Sequence, residues 1–116
     1  MKTIILLIVL ALPAASADVS GTWNVEASAD GHNAAPVCVF KQLENRLSGV
    51  CKYDNISSDL TGEVKDKEVT WKYDTTYEGE PITVTFFGRL DTETTMKGSL
   101  QVAPGAVQGE FSAKKQ

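Results

Sequence analysis

The stretch RLSGVCKYDNISSDLTGEV, residues 46–64, decides the fold. Twice within it a leucine is followed two residues later by glycine, in Leu47-Ser48-Gly49-Val50 and in Leu60-Thr61-Gly62-Glu63. Glycine weakens a strand and gives up a side chain that would otherwise pack. Yet the flanking residues alternate apolar and polar with the period of a half-buried strand. The same apolar-x-Gly-x unit recurs at Val19–Thr22, Phe86–Arg89, Met96–Ser99 and Val107–Glu110, so it takes six of the nine glycines. In most copies the glycine shares parity with the apolar residues of its strand and therefore faces inward. An inward glycine lets a strongly curved strand bend and approach its neighbours, as closing a small barrel requires.

The alternation spreads outward from this stretch. EVTWKYD (68–74) places Val69, Trp71 and Tyr73 on one face, and PITVTFFGRL (81–90) does the same with Ile82, Val84, Phe86, Gly88 and Leu90. Beyond residue 17 no segment sustains a 3.6-residue apolar period, so no helix is expected. Strands are predicted over residues 20–27, 36–43, 46–53, 59–65, 68–76, 81–90, 95–102 and 107–114. Glu44-Asn45, Asp66-Lys67 and Pro104-Gly105 supply turn chemistry. The longest connection, SADGHNAA at 28–35, reads as a polar loop. Short links between consecutive strands imply antiparallel neighbours. The expected fold is all-β: an eight-stranded antiparallel up-and-down β-barrel. A two-sheet sandwich or flat meander with glycines at bulges is the alternative, and closure is favoured because it removes exposed edges.

The N-terminal MKTIILLIVLALPAASAD has Lys2, an apolar run from Ile4 to Leu12, and Ala15-Ser16-Ala17. That is the layout of a secretory signal, with cleavage expected after Ala17. The run is far short of the roughly 20 residues that a membrane span needs. The expectation is therefore a signal peptide over 1–17, a single barrel domain over 18–116, a secreted or periplasmic location and no membrane insertion. Removing residues 1–17 takes away one cation, Lys2, and leaves 15 acidic against 10 basic residues, a formal charge of −5. The scattered cations form no basic patch, which argues against nucleic acid and anionic membranes as partners.

Cys38 and Cys51 flank the hairpin CVFKQLENRLSGVC. If Glu44-Asn45 is a two-residue turn, Leu43 pairs with Arg46, and counting outward brings Cys38 opposite Cys51. Directly opposed cross-strand cysteines meet disulfide separation limits, and an exported context permits oxidation. A disulfide is expected, and no metal site, because no other cysteine and only one histidine are available.

A search for catalytic constellations returns none: no Gly-x-Ser-x-Gly elbow, no phosphate loop and no histidine pair at metal spacing. His32 lies in the polar DGHNAAP segment and reads as a solvated histidine. No enzyme activity and no cofactor are expected. The inward set supports two readings. Strands this short favour a core filled by side chains. The functional reading is a pocket for a small, mostly apolar ligand, walled by Trp23, Phe40, Trp71, Tyr73 and Phe86 with Gln42 and Tyr53 as polar contacts. The alternative function is a protein-interaction or inhibitor module using the outer face, where Phe87, Val37, Val39 and Leu43 offer a patch. A monomer is expected. Asn55-Ile56-Ser57 matches the glycosylation sequon.

The segments SGTWNV, NRLSGV, DLTGEV, TMKGSL and GEFSAK, spread over the whole of residues 18–116, carry a resemblance. The chain resembles small exported bacterial proteins that look like minimal lipocalins, calycin-type β-barrels of unassigned function. Gly21-x-Trp23 is similar to the lipocalin opening strand, and the resemblance implies that Trp23 plugs the barrel base. The chain is much shorter than a lipocalin and lacks the C-terminal helix of that family, which bears on how capacious a pocket it holds.

Overall fold

The structure, a computed structural model, describes residues 17–116. The expected signal peptide therefore lies outside the described residues, Ala17 apart. Among the described residues nine strands follow one another: β1 (Gly21–Ala29), β2 (His32–Ala34), β3 (Val37–Leu43), β4 (Arg46–Tyr53), β5 (Ile56–Lys65), β6 (Glu68–Tyr77), β7 (Glu80–Thr92), β8 (Thr95–Ala103) and β9 (Val107–Lys115). All pairings are antiparallel, β1 pairs with both β2 and β3, each strand from β3 to β9 lies beside the next, and β1 also pairs with β9, which closes the sheet.

Nine strands make eight staves. β2 and β3 both pair with the same edge of β1 in one continuous register, from Ala29↔His32 through Ala27↔Ala34 to Asn24↔Val37 and Gly21↔Phe40. Pro36 interrupts them because it has no N–H to give the ladder, although its carbonyl still accepts from Val25 N at 3.0 Å. The expected loop over 28–35 is corrected accordingly. β1 runs on to Ala29, turns at Asp30-Gly31 and returns as β2. Asp30 and Gly31 both have left-handed backbones (φ 51° and 77°), the pairing that tight twisted hairpins need.

The hairpins at Asp30-Gly31, Asp54-Asn55, Glu78-Gly79 and 104–106 lie at one end of the barrel, and those at Glu44-Asn45, Asp66-Lys67 and Glu93-Thr94 lie at the other. The second end is closed. Val19 is fully buried there. Its N–H donates to Gln42 Oε1 at 2.8 Å, and its carbonyl accepts from Trp23 Nε1 at 2.9 Å. Trp23 thus sits at the base, where the lipocalin resemblance puts it.

Inward glycines allow the walls to close. A Cβ at Gly62 would run into the Thr70 carbonyl and lie 2.8 Å from Trp71 Cα. At Gly98 it would strike the Phe87 carbonyl and lie 2.9 Å from Gly88 Cα. Cys38 pairs with Cys51 in the β3–β4 register and is bonded to it, with Cα atoms 4.0 Å apart.

Candidate functional site

An aromatic column climbs the barrel from the base. Phe40 meets Trp23 at 6.4 Å and Trp71 at 5.0 Å, edge to face in the second case. Trp71 stacks on Phe86 at 4.6 Å, and Phe111 closes edge-on against both at 5.3 and 5.1 Å. Up to this level the lumen is filled. Burial of each such side chain contributes about 1.5–3 kcal/mol relative to exposure.

Above Phe86 the lumen opens into a cavity of about 490 Å³. Phe86, Leu100, Pro36 and Cys51 lie low in it, with Tyr73, Ile82, Val84, Val102 and Ala27 along the walls. Tyr53, Ile56, Tyr77, Asp30 and His32 belong to strand ends and turns at the mouth. The ladder explains the space. β4 pairs with β5 up to Tyr53↔Ile56 and β6 with β7 up to Tyr77↔Glu80, but β5 and β6 pair only from Leu60↔Tyr73 downward. Above that level the two strands splay. Ser58 and Thr75, which the same register would set opposite each other, line the gap.

Polar groups converge on this apolar space. Tyr73 is 9% exposed, and among the described residues its hydroxyl has no hydrogen-bond partner. Burial, and then the charge of nearby Tyr53, push the Tyr73 phenol up to about 12, because desolvation disfavours the phenolate. Ser58 is buried, and among the described residues its hydroxyl is likewise without a partner. At the mouth Tyr77 OH lies 3.5 Å from His32 Nδ1, and the two rings meet edge to face at 5.8 Å. This contact joins the β1–β2 hairpin to β6. Tyr53 (44% exposed) and Tyr77 (47%) present aromatic surface to solvent at the mouth.

Of the seven residues predicted to hold a ligand, Tyr53, Tyr73 and Phe86 line the cavity. Trp23, Phe40 and Trp71 lie below it in the filled half, and Gln42 lies at the closed end. Gln42 is occupied there: besides accepting from Val19 it donates from Nε2 to the Glu44 carbonyl at 2.9 Å. Its inward parity is right, but its height along the barrel rules out contact with this cavity. The sequence reading missed Ser58, Thr75, Tyr77 and His32. Ser58 shares parity with Leu60 and Val64, a signal lost because the strand was expected to begin at residue 59.

The outer-face patch divides. Val39 and Leu43 are on β3, whereas Phe87 is on β7, four staves away on the opposite wall. Phe87 is flanked across the sheet by Thr70 and Ser99. No contiguous apolar surface links the two. No group of three or more metal-ligating side chains occurs among the described residues.

Solved structures supply the comparison. The fold matches a redesigned β-barrel, mFAP1, bound to DFHBI, with a TM-score of 0.66 at 14% identity over 83% of this chain and 94% of that one. It also matches the redesigned barrel mFAP0 bound to DFHBI, with a TM-score of 0.61 at 19% identity over 83% of this chain and 97% of that one. A further redesigned barrel matches at 0.64 and 19% identity, over 84% of this chain and 90% of that one. At this level of identity the likeness is one of fold: a closed eight-stranded antiparallel barrel. No protein-family profile and no curated protein matches the sequence.

Proposed function

We propose that this protein is an exported, monomeric, non-enzymatic binder that holds a small, mostly apolar ligand in the open half of its barrel. One observation carries the reading: a 490 Å³ cavity above Phe86, apolar along its walls, that is lined by Tyr73, whose hydroxyl has no hydrogen-bond partner among the described residues. Ligand pockets are commonly apolar with a few convergent polar groups. Such a hydroxyl can hydrogen-bond an acceptor or donor on a ligand, a net contribution of about 0.5–1.5 kcal/mol. That redesigned barrels of the same fold are bound to DFHBI supports a small-ligand role for a barrel of this kind. The Cys38–Cys51 bridge supports residence in an oxidising compartment, with residues 1–17 removed on export.

The test is native mass spectrometry on protein recovered from the exported fraction without delipidation, set beside its denatured mass. A reproducible excess mass that disappears on denaturation is expected. A bare polypeptide that also takes up no apolar probe would sink the reading.

A further inference from the structure

The charge around the cavity is one-sided. Among the described residues no lysine or arginine lines it, and its one carboxylate is Asp30, at the β1–β2 turn. The four turns at the mouth end carry Asp30, Asp54 and Glu78, with Glu80 directly after the third, and no basic residue. The cation nearest the mouth is Lys52, on the outer face between inward Cys51 and Tyr53. Arg46, Lys65, Lys67, Arg89, Lys114 and Lys115 gather at the closed end instead. The mouth is therefore acidic, whereas at the closed end the cations are mixed with Glu44, Glu63, Asp66, Glu68, Asp91 and Glu93.

Aromatic faces add to this. Tyr53 and Tyr77 stand half-exposed at the mouth, and Tyr73 and Phe86 lie beneath them. The negative face of an aromatic ring attracts organic cations, by about 0.5–1 kcal/mol at exposed sites and more when desolvated. A carboxylate-bearing ligand would meet the reverse: no counter-ion in the cavity and like charge at its entrance, in surroundings where an unpaired anion is costly to hold.

We propose that the cavity selects a cationic amphiphile, an organic amine whose apolar body lies on Phe86 and whose ammonium stays at the mouth between Asp30 and the tyrosine rings. This rests on the lumen being a ligand site, and it adds the sign of the ligand's charge. Tyr73 and Ser58 hydroxyls would meet polar atoms on the buried body, and the field at the mouth excludes anions before they enter.

Three probes sharing one ring system test it by isothermal titration calorimetry at about pH 8, where the amine is charged: 2-naphthylmethylammonium, 2-naphthylmethanol and 2-naphthoate. The ammonium is expected to bind at least about tenfold more tightly than the naphthoate, with the gap narrowing as salt screens the mouth. Asp30→Asn keeps a residue that accepts the left-handed backbone. It should weaken the ammonium about threefold more than it weakens the alcohol. Naphthoate binding as tightly as the ammonium would overturn the charge selection while leaving the lumen as a ligand site. If none of the three binds, the charge selection and the lumen reading fall together. If the alcohol binds and the ammonium shows no preference over it, only the charge selection falls.

Discussion

Trp71 lies flat against Phe86, with ring centroids 4.6 Å apart and planes 6° from parallel. This pair is the boundary between the filled and the hollow halves of the barrel. Below it Trp71 is wedged by Phe40 and Phe111; above it Phe86 contributes to the cavity lining. The packing leaves Trp71 Nε1 buried without a hydrogen-bond partner among the described residues. Trp23, the other tryptophan, donates to the Val19 carbonyl.

That contrast gives a comparison between two conservative variants. Trp→Phe removes similar volume at both sites. At Trp23 it also strands the Val19 carbonyl and loosens the base plug, whereas at Trp71 it removes a donor that was already unsatisfied. Trp23→Phe should be the more destabilising of the two by about 1–2 kcal/mol, read from urea unfolding midpoints at equal m. Equal losses would mean that the Trp71 N–H is satisfied in solution, for example by water.

The Cys38–Cys51 bridge closes a loop of sequence separation 13. Cross-linking so short a loop contributes roughly 2–3 kcal/mol, chiefly by restricting the unfolded chain. The double variant Cys38→Ala/Cys51→Ala should remain folded with a lower unfolding midpoint, and Ellman titration of the denatured, unreduced wild type should find no free thiol. Two thiols would rule out the bridge in the isolated protein.

The register of this bridge was legible because a two-residue turn at Glu44-Asn45 fixes every pair beyond it, and β3↔β4 indeed runs from Leu43↔Arg46 to Val37↔Lys52. Closure was legible in the inward glycines. Two things were not. Alternation gives the face a side chain points to but not its height along the barrel, so Gln42 and Tyr53 looked equivalent although they lie at opposite ends. The strand directions carry that information: Gln42 is two residues from the Glu44-Asn45 turn, and Tyr53 adjoins the Asp54-Asn55 turn at the other end. The cavity itself depends on β5 and β6 parting above Leu60–Tyr73, a tertiary outcome that no local pattern announces. The β1–β2 hairpin was hidden because its inward residues, Ala27, Ala29 and Ala34, are too small to mark a strand.

Glycine closure makes its own prediction. Gly62→Ala would place a methyl group against backbone on the neighbouring strand, at the Thr70 carbonyl and 2.8 Å from Trp71 Cα. Neither can yield without moving the β5–β6 ladder. Gly79 has a left-handed φ of 81° but nothing within 4 Å of a new Cβ. Gly79→Ala should therefore lose only about 1 kcal/mol of turn strain. Gly62→Ala should lose about 3 kcal/mol or more, by the overpacking route. Thermal unfolding by circular dichroism compares them, and a Gly62→Ala variant as stable as Gly79→Ala would mean the wall is not closed as described.

Tyr73 ties the cavity to stability at alkaline pH. Its hydroxyl is raised from 10.0 to about 12, first by burial and then by Tyr53. The folded state thus holds the proton more tightly than the unfolded chain. The stability this provides is fully present below pH 10 and is lost as the pH rises through about 12, because the unfolded state gains by ionising first. Two units correspond to roughly 3 kcal/mol across that window. Every other titrating group contributes to the same slope, so the quantity to measure is a difference. Guanidinium unfolding of the wild type and of Tyr73→Phe, at about pH 9 and about pH 11.5, should show the wild type losing roughly 2 kcal/mol more than the variant over that interval. Parallel losses would mean the phenol is solvated and the cavity wider open than its lining indicates. A bound ligand that accepts from the neutral hydroxyl should stabilise the protein at the lower pH and be released as the phenol ionises.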